Sequence, residues 1–349
     1  MIADYIAVIL LWLSLIIYAA FGGADFGGGV WYFFTFGSSP KAKAQRQLIS
    51  KAIGPVWEAN NVWLVYLVVG LYTAFPSVAA ILAIALFVPL TLALIGVVLR
   101  GAAFAFEAHI PQSIEVREVY GRMFSAASAF TPFLFGAIAA AVASGKIRVQ
   151  NGNIPVAVWA PWLMPFALTV GAMAISLCAV IAAVYLTVEA QTAKNTELME
   201  AFRKRAFIAG TFTAVFGLLG LILAPSEAPI LWQGMLDHAI WAVIVTMLIG
   251  IGAAAALFFR RYKIARVLIV METGALLGTW GLSQIPYLVP PDVTVTSAAS
   301  PPTTIIEFLV SAIAGMLLLL PSLWFLFYIF KSQGLRTPPV HEKHLEEET

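Results

Sequence analysis

Apolar residues run through this sequence in long stretches rather than in the short alternations that are typical of a soluble domain. A membrane-spanning helix needs about 20 mostly apolar residues, and nine stretches of the chain reach that length. They lie at roughly 4–34, 53–74, 77–104, 119–144, 161–187, 206–225, 236–259, 264–288 and 305–330. The pattern therefore predicts an all-α integral membrane protein with nine transmembrane helices.

The composition excludes a soluble globular fold. Hydrophobic residues make up 61% of the 349 positions and charged residues 11%, whereas a soluble domain is roughly 45–50% apolar and about a quarter charged. We therefore expect one polytopic membrane domain over residues 1–331 and a disordered cytoplasmic tail over 332–349, where prolines and glutamates accumulate. The linker 289–304 contains four prolines and is predicted to be a rigid extended crossing.

The basic residues are distributed unevenly between the loops. All but two of the 20 Lys and Arg residues fall on one side of the predicted membrane, and the exceptions are Lys146 and Arg148. The positive-inside rule makes the basic side cytoplasmic, so the N-terminus is outside, the C-terminus is cytoplasmic and the protein is a multi-pass protein of the inner membrane. The basic residues form no stripe with interleaved aromatics, which argues against nucleic acid as a partner.

Two acidic residues lie inside predicted helices, toward the basic side of the membrane. Asp25 stands in the glycine-rich segment 21–29, and Glu58 stands in the segment 54–63. A carboxylate in the hydrocarbon region costs on the order of 2–3 kcal/mol, which makes an intramembrane acid a candidate functional group. Both acids are therefore candidates for a proton pathway. In the alternative interpretation Asp25 caps a broken helix and Glu58 caps the start of the second helix.

Polar and aromatic residues follow and flank Glu58. Asn60 and Asn61 provide two amides in the same helical turn, which can hold a carboxylate or a chain of water molecules by hydrogen bonds. Trp57 and Trp63 flank these amides, and at least one of the two tryptophans is expected to serve only in packing or at the membrane interface.

The glycines around Asp25 indicate close helix packing. Gly23 and Gly27 have the spacing of small residues that allows a neighbouring helix to approach the backbone closely. A phosphate-binding loop is excluded, because no Gly-Lys-Ser/Thr follows these glycines and no strand precedes them.

Two further charged residues lie at or within predicted helices. Arg100 ends the third apolar stretch, where an arginine either has a specific role or extends its side chain to the lipid headgroups. Glu272 lies six residues beyond Arg266 in an otherwise apolar helix, with Thr273 as its polar neighbour. Glu272 is thus a second candidate for the proton pathway.

The sequence offers few ligands for a metal. The single cysteine, Cys178, excludes an intrachain disulfide and a cysteine cluster. Of the four histidines, only His238 is near an apolar stretch, while a bundle that holds several haems needs several His or Met ligands inside the membrane. We therefore expect no metal or haem held by this chain's own ligands and no independent catalytic site.

Four segments carry a resemblance to a known family. They are the Gly-Ala-Asp-Phe-Gly block at 23–27, the block 54–64, Arg100-Gly with Phe104 following, and the block 284–292. Together they resemble subunit II of the cytochrome bd-type quinol oxidases, including their cyanide-insensitive branch. The block 54–64 is the most specific, because an acid followed by Asn and Val-Trp-Leu at the start of a second helix is not a generic membrane pattern.

The resemblance implies a haem-free subunit with nine spans that pairs with a homologous subunit I in a pseudo-symmetric heterodimer. Subunit I would hold haems b and d, oxidise quinol at the outer face and reduce oxygen to water as part of the respiratory chain. Subunit II would stabilise subunit I and contribute a route for protons from the cytoplasm, with Glu58 as the carrier and Asp25 beside it. A small third subunit, a structural quinone and membrane lipid are further partners that the resemblance suggests.

One segment departs from the usual pattern of that family. After Phe104 an acidic residue is common, but this sequence has Ala105, Phe106 and Glu107. If an acid at position 105 lines the proton route in relatives, the route here is altered or uses Glu107.

Two other classes of function fit the same residues. A proton-coupled secondary transporter can use intramembrane acids such as Asp25, Glu58 and Glu272 as coupling sites. A purely structural scaffold would use the same acids only to cap helices. Replacing Glu58 by Gln separates the proton carrier from the scaffold.

Overall fold

The structure of the protein, a computed structural model, describes residues 1–37, 39–53, 57–109, 114–149, 154, 159 and 161–333, without the side chains of 57, 107–109, 114–117 and 326–333. The tail predicted over 332–349 therefore lies outside the described residues from position 334 onward. The chain divides into two compact units between Phe308 and Leu309. The single domain over 1–331 stays a prediction.

Helices make up almost all of the described chain. They are α1 (Ile2–Tyr32), α2 (Pro40–Ile53), α3 (Trp57–Ala74), α4 (Pro76–Ala85), α5 (Phe87–His109), α6 (Ile114–Ala143), α7 (Pro165–Thr192), α8 (Thr196–Glu227), α9 (Pro229–Gly234), α10 (Ile240–Phe258), α11 (Tyr262–Gln284), α12 (Val295–Ala298) and α13 (Pro302–Gln333). A π-helical turn, Met235–Ala239, joins α9 to α10. Among the described residues, eight helical segments are long and apolar enough to cross a membrane, or nine if the bent pair α3 and α4 counts as one span.

The third predicted span is not one continuous helix. The sequence predicts one helix over 77–104, whereas the chain folds into α4 and α5 with a break at Leu86, and α4 is bent by 115° from α3. Pro76 begins α4 because its fixed φ angle suits the first helical turn and its missing N–H is not needed there. Ser300 donates hydrogen bonds to the carbonyls of Thr73 (2.8 Å) and Ala74 (2.9 Å), which satisfies groups that the end of α3 leaves free.

Helix α2 lies in the basic loop and was not predicted. Its buried residues Ala42, Gln45, Ile49 and Ile53 recur at helical spacing. Arg46 donates hydrogen bonds to the carbonyls of Thr35 and Gly37, which ties α2 to the end of α1. The helical spacing of these four residues is visible in the sequence, but a search for long apolar stretches does not detect it because the segment is short and carries several Lys and Arg residues.

The chain between α11 and α13 forms a small hairpin instead of a fully extended crossing. Strands β1 (Tyr287–Val289) and β2 (Val293–Thr294) pair antiparallel, and the single turn of helix α12 follows them. Helix α11 ends at Gln284 rather than at 288, and the Gln284 amide donates hydrogen bonds to the carbonyls of Tyr287 (3.4 Å) and Leu288 (3.1 Å). These elements correct the predictions for 264–288 and 289–304.

Asp292 in this hairpin is paired with Arg148, one of the two basic residues that the sequence analysis separates from the other Lys and Arg residues. The Arg148 guanidinium donates two hydrogen bonds to the Asp292 carboxylate (2.9 and 3.1 Å), and the Val149 N–H donates a third (2.8 Å). The hydrogen bond from Arg148 is the main cause that holds the pKa of Asp292 below its usual value. Because the native pKa is lower than the unfolded one of about 3.9, the carboxylate stabilises the fold above that pH. The stabilisation is lost as the pH falls through the native value.

We therefore expect Asp292→Asn to lower the melting temperature of the purified protein at pH 7 by a small amount, consistent with a contribution of about 1 kcal/mol or less for an exposed pair. The difference between the parent and the variant should shrink toward zero as the pH falls below about 3.9. Thermal unfolding across this pH range measures the difference in melting temperature. Arg148→Gln is the matched control, and its melting temperature at pH 7 should be lowered by the same amount. A difference independent of pH would contradict the assignment.

Helix α1 is the central element of the first unit, since it packs against α2, α3, α6, α7 and α11. The C-terminal part of α1, which carries Asp25, is almost fully buried from Gly22 to Tyr32. The same end of the helices carries the basic loops, and we refer to it as the basic end. Of the intramembrane acids predicted from the sequence, Asp25 therefore lies in a buried part of the fold.

Candidate functional site: a buried acid, amide and arginine

Asp25 lies inside the protein and is held by an amide. Its side chain on α1 is 3% exposed, and its carboxylate accepts a hydrogen bond of 2.7 Å from the Asn60 side-chain amide on α3. A second contact joins the same helices, since the Ser14 hydroxyl donates to the carbonyl of Trp63 over 2.7 Å. Of the two amides in segment 54–63, that of Asn60 therefore donates a hydrogen bond to a carboxylate, that of Asp25.

Arg100 completes the cluster. It lies on α5, is 2% exposed, and its guanidinium carbon stands 4.3 Å from the centre of the Phe26 ring. Phe26 is the neighbour of Asp25 on α1, so the positive charge of Arg100 lies near the Asp25 carboxylate and acts on it without a direct ion pair between the two side chains. The alternative that Arg100 extends to the headgroups is wrong, because its side chain is enclosed by the protein.

Glu58 points away from this cluster. Residues two positions apart on a helix are separated by about 200° around its axis. Asn60 faces Asp25, and Glu58 is therefore on the opposite side of α3, where it is exposed. Glu58 lies at the basic end of an exposed stripe on α3, whose other members recur at helical spacing and are Val62, Val65, Val69 and Tyr72. The residue of this segment that contacts Asp25 is therefore Asn60, and Glu58 belongs to the outer surface of this chain.

Close packing between α1 and α7 surrounds the cluster. A side chain at Gly27 would overlap the carbonyl oxygen of Cys178 on α7, and a Cβ at Gly23 would lie 3.5 Å from the Cys178 sulfur. The Trp31 indole N–H donates to the carbonyl of Ala179 over 2.7 Å. The two glycines therefore stand where α7 contacts the α1 backbone. Trp63 is buried as well, and Asn61 is half-buried.

Glu272 lies on α11, on a different helix pair from Asp25. Its carboxylate packs against Gly250 of α10, where an added Cβ would come within 2.7 Å of Oε1. The residue is half-buried, and its neighbour Thr273 donates its hydroxyl to the carbonyl of Ile269 over 2.9 Å. The structure thus places Glu272 between two helices rather than in the cluster of Asp25. The side chains of Trp57 and Glu107 lie outside the described residues.

Sequence reasoning missed three polar residues near this cluster. Tyr18 is buried on α1 and interacts electrostatically with both Arg100 and Asp25. Ser125 and Ser128 are buried on α6, and Ser128 faces α1 because a Cβ at Gly29 would overlap its hydroxyl. The available signal was the spacing of Ser125, Ser128 and Thr131, which puts three hydroxyls on one face of an apolar helix.

The long apolar helices and the enclosed Asp25–Asn60–Arg100 cluster define a polytopic membrane protein with a charged, hydrogen-bonded core. Within this class, the chain belongs to the family described as cytochrome bd terminal oxidase subunit II, which matches residues 3–330. The resemblance found in the sequence is thereby confirmed, as is the multi-pass inner-membrane location. The family forms oxidoreductase complexes and implies a complex with a subunit I.

Individual relatives agree with this family. A candidate cytochrome bd menaquinol oxidase subunit II of Bacillus subtilis (strain 168) is 24% identical over 334 residues, covering 93% of this chain and 94% of the relative. The cytochrome bd ubiquinol oxidase subunit 2 of the same organism is 29% identical over 116 residues, 33% of each chain. A chain in the structure of the bd oxidase from Geobacillus thermodenitrificans has the same fold, with a TM-score of 0.78 and 24% identity over 95% of this chain and 99% of that chain.

Proposed function

We propose that this chain is the haem-free subunit of a cytochrome bd-type quinol:oxygen oxidoreductase, with its N-terminus outside and its basic end in the cytoplasm. It stabilises the haem-bearing subunit I and supplies a route by which protons from the cytoplasm reach the site of oxygen reduction. Haems b and d belong to subunit I.

The observation that carries the proton route is the enclosed Asp25–Asn60–Arg100 cluster. A carboxyl group in a packed membrane core is costly unless a counter-charge and hydrogen bonds compensate for the lost water. Asn60 donates one hydrogen bond, and Arg100 supplies the positive charge. With both partners fixed on separate helices, Asp25 can release a proton without leaving an isolated charge and can take one up without moving its neighbours.

The exposed stripe on α3 gives Glu58 its proposed place in the route. An acid followed by Val62, Val65, Val69 and Tyr72 on one helix face suits contact with a protein partner better than contact with lipid, where a carboxylate is costly. We place subunit I on this stripe. Protons then pass from Asp25 in the core of this chain to Glu58 at the boundary between the subunits.

Replacing Glu58 by Gln is expected to slow quinol-driven oxygen uptake of the assembled complex by at least about tenfold, because an amide of the same shape cannot carry a proton. Glu58→Asp should retain activity, since it keeps the carboxyl group. Oxygen consumption is measured on complexes with matched haem content. Glu118→Gln is the control, because Glu118 is an acid near the basic end that pairs with Arg122 at the surface (3.4 Å).

Two results would exclude the carrier role of Glu58. One is turnover of the Glu58→Gln complex equal to that of the parent at every pH. The other is an equal loss in Glu58→Gln and Glu118→Gln, which would point to a general effect of surface charge near the basic end.

A further inference from the structure

Two serines on α6 differ from the other hydroxyl groups in the membrane helices. Most described helical Ser and Thr hydroxyls donate to the carbonyl three or four residues earlier, which satisfies them within their own helix. Buried or half-buried examples are Thr131, Thr187, Thr213, Thr246, Thr273 and Ser283. Ser125 and Ser128 are 2% and 0% exposed, yet neither hydroxyl has a hydrogen-bond partner among the residues that the structure describes.

The contacts of α6 place these two hydroxyls next to the Asp25 cluster. Ser128 packs against Gly29 of α1, which is one helical turn, or roughly 6 Å, beyond Asp25 toward the basic end. Three residues further along α6, Thr131 packs against Gly96 of α5, one turn before Arg100. Ser128 therefore lies at the level of the cluster.

Ser125 lies one turn nearer to the basic end than Ser128. Its neighbour Phe124 contacts the Tyr32 ring (centroids 5.7 Å apart) and the Phe104 ring (5.5 Å), which fixes the level of this turn at the end of α1. The two serines thus form a short file that runs from the basic end toward Asp25, along the junction of α1 and α6.

Other groups near the file also have unused hydrogen-bonding capacity. Within the described part of the chain, the Tyr18 hydroxyl and the Arg100 Nε are buried without a hydrogen-bond partner. A buried polar group without a partner destabilises the fold, and such groups usually bind ordered water or have a functional role. Packing does not require the two serine hydroxyls, since Ala in place of each serine would fill the same helix position at lower cost.

We propose that Ser125 and Ser128, bridged by bound water, relay protons from the basic end to Asp25. Each hydroxyl oxygen accepts a proton on one side and releases its own proton on the other side, so that one positive charge moves inward and no electron is transferred. The Asp25 carboxylate is the acceptor at the end of the file. This inference rests on the proposed function of Asp25 and adds the path by which protons reach it.

The test uses Ser125→Ala and Ser128→Ala, singly and together, in the complex with subunit I. A relay predicts opposite effects on stability and turnover. The melting temperature should stay equal or rise, because an unpartnered hydroxyl is removed. Oxygen uptake with a short-chain quinol should fall by about tenfold or more, most strongly at high pH where protons are scarce, and the solvent deuterium isotope effect should increase.

Thr131→Val is the matched control, because Thr131 lies on the same face of α6 and its hydroxyl is already bonded to the Ala127 carbonyl (2.8 Å). This variant should keep the parent pH profile and isotope effect. Unchanged turnover of the double alanine variant at all pH values would overturn the relay. Loss of assembly or of thermal stability in the alanine variants would overturn it as well, because it would show that the hydroxyls are structural.

The result also separates the relay from the role of Asp25. If Asp25→Asn abolishes turnover and the serine variants do not affect it, Asp25 is a proton carrier that is supplied by another path. If neither change affects turnover, the proposed function of Asp25 fails together with the relay.

Discussion

Complexes that carry Asp25→Asn are expected to assemble with normal haem content and to lose quinol-driven oxygen uptake by about a hundredfold or more. Asn has the shape of Asp and can still accept the hydrogen bond from Asn60, so the packing of α1 against α3 should persist. It cannot carry a proton, and it leaves the buried charge of Arg100 without its counter-charge. Oxygen consumption, haem content and thermal stability measured on the same preparation separate the loss of chemistry from a loss of folding.

Asp4→Asn provides the control for this prediction. Asp4 is on the same helix as Asp25 but at its opposite end, where it pairs with the N-terminal amine (3.1 Å). The control should leave oxygen uptake unchanged. If the Asp25→Asn complex consumes oxygen at the parent rate, Asp25 is not on the proton route, whatever the effect on stability.

Replacing Gly27 is expected to damage the fold before it changes any chemistry. A Cβ at this position would overlap the backbone carbonyl of Cys178 and approach the Ala182 side chain, so α1 and α7 would have to separate. Overpacking of a core costs about 1–3 kcal/mol when side chains can adjust, and here the obstacle is backbone. Gly27→Leu should abolish assembly with subunit I, and Gly27→Ala should lower the amount of assembled complex.

Gly278→Ala is the matched control, because Gly278 lies in α11 and an added Cβ there would meet no atom within 4 Å. It should assemble normally, and it can stabilise α11 slightly because Ala favours the helix over Gly. The yield of complex and its melting temperature measure both effects. A Gly27→Leu complex that assembles in full and melts like the parent would contradict the close approach of α7.

The order and length of the apolar segments predicted most of the fold, since each helix in a membrane must satisfy its own backbone and be apolar along its length. The predictions were wrong where local packing decides the structure. Helix α2 depends on a buried stripe in a charged loop, and the break at Leu86 divides a run that is apolar on both sides. Neither feature changes the hydropathy pattern.

The candidate site could be predicted in part. The motifs identified Asp25, Asn60 and Arg100 as unusual residues and led to the family. They did not show that Asn60 rather than Glu58 contacts Asp25, because this depends on how α3 is rotated about its axis. The burial of Arg100 depends on the packing of α5 against α6 and on the contact between Arg100 and Phe26 of α1. Ser125 and Ser128 were missed because a serine in an apolar helix is common and only its missing partner makes it notable.

The most direct test of the account is a redox-induced infrared difference spectrum of the complex, recorded in H2O and in D2O. If Asp25 takes up and releases a proton during turnover, the parent should show a carboxylic acid C=O band that shifts in D2O and is absent from the Asp25→Asn complex. A spectrum in which Asp25→Asn removes no carboxyl band would show that this residue keeps one protonation state, and it would contradict the proton route through this subunit.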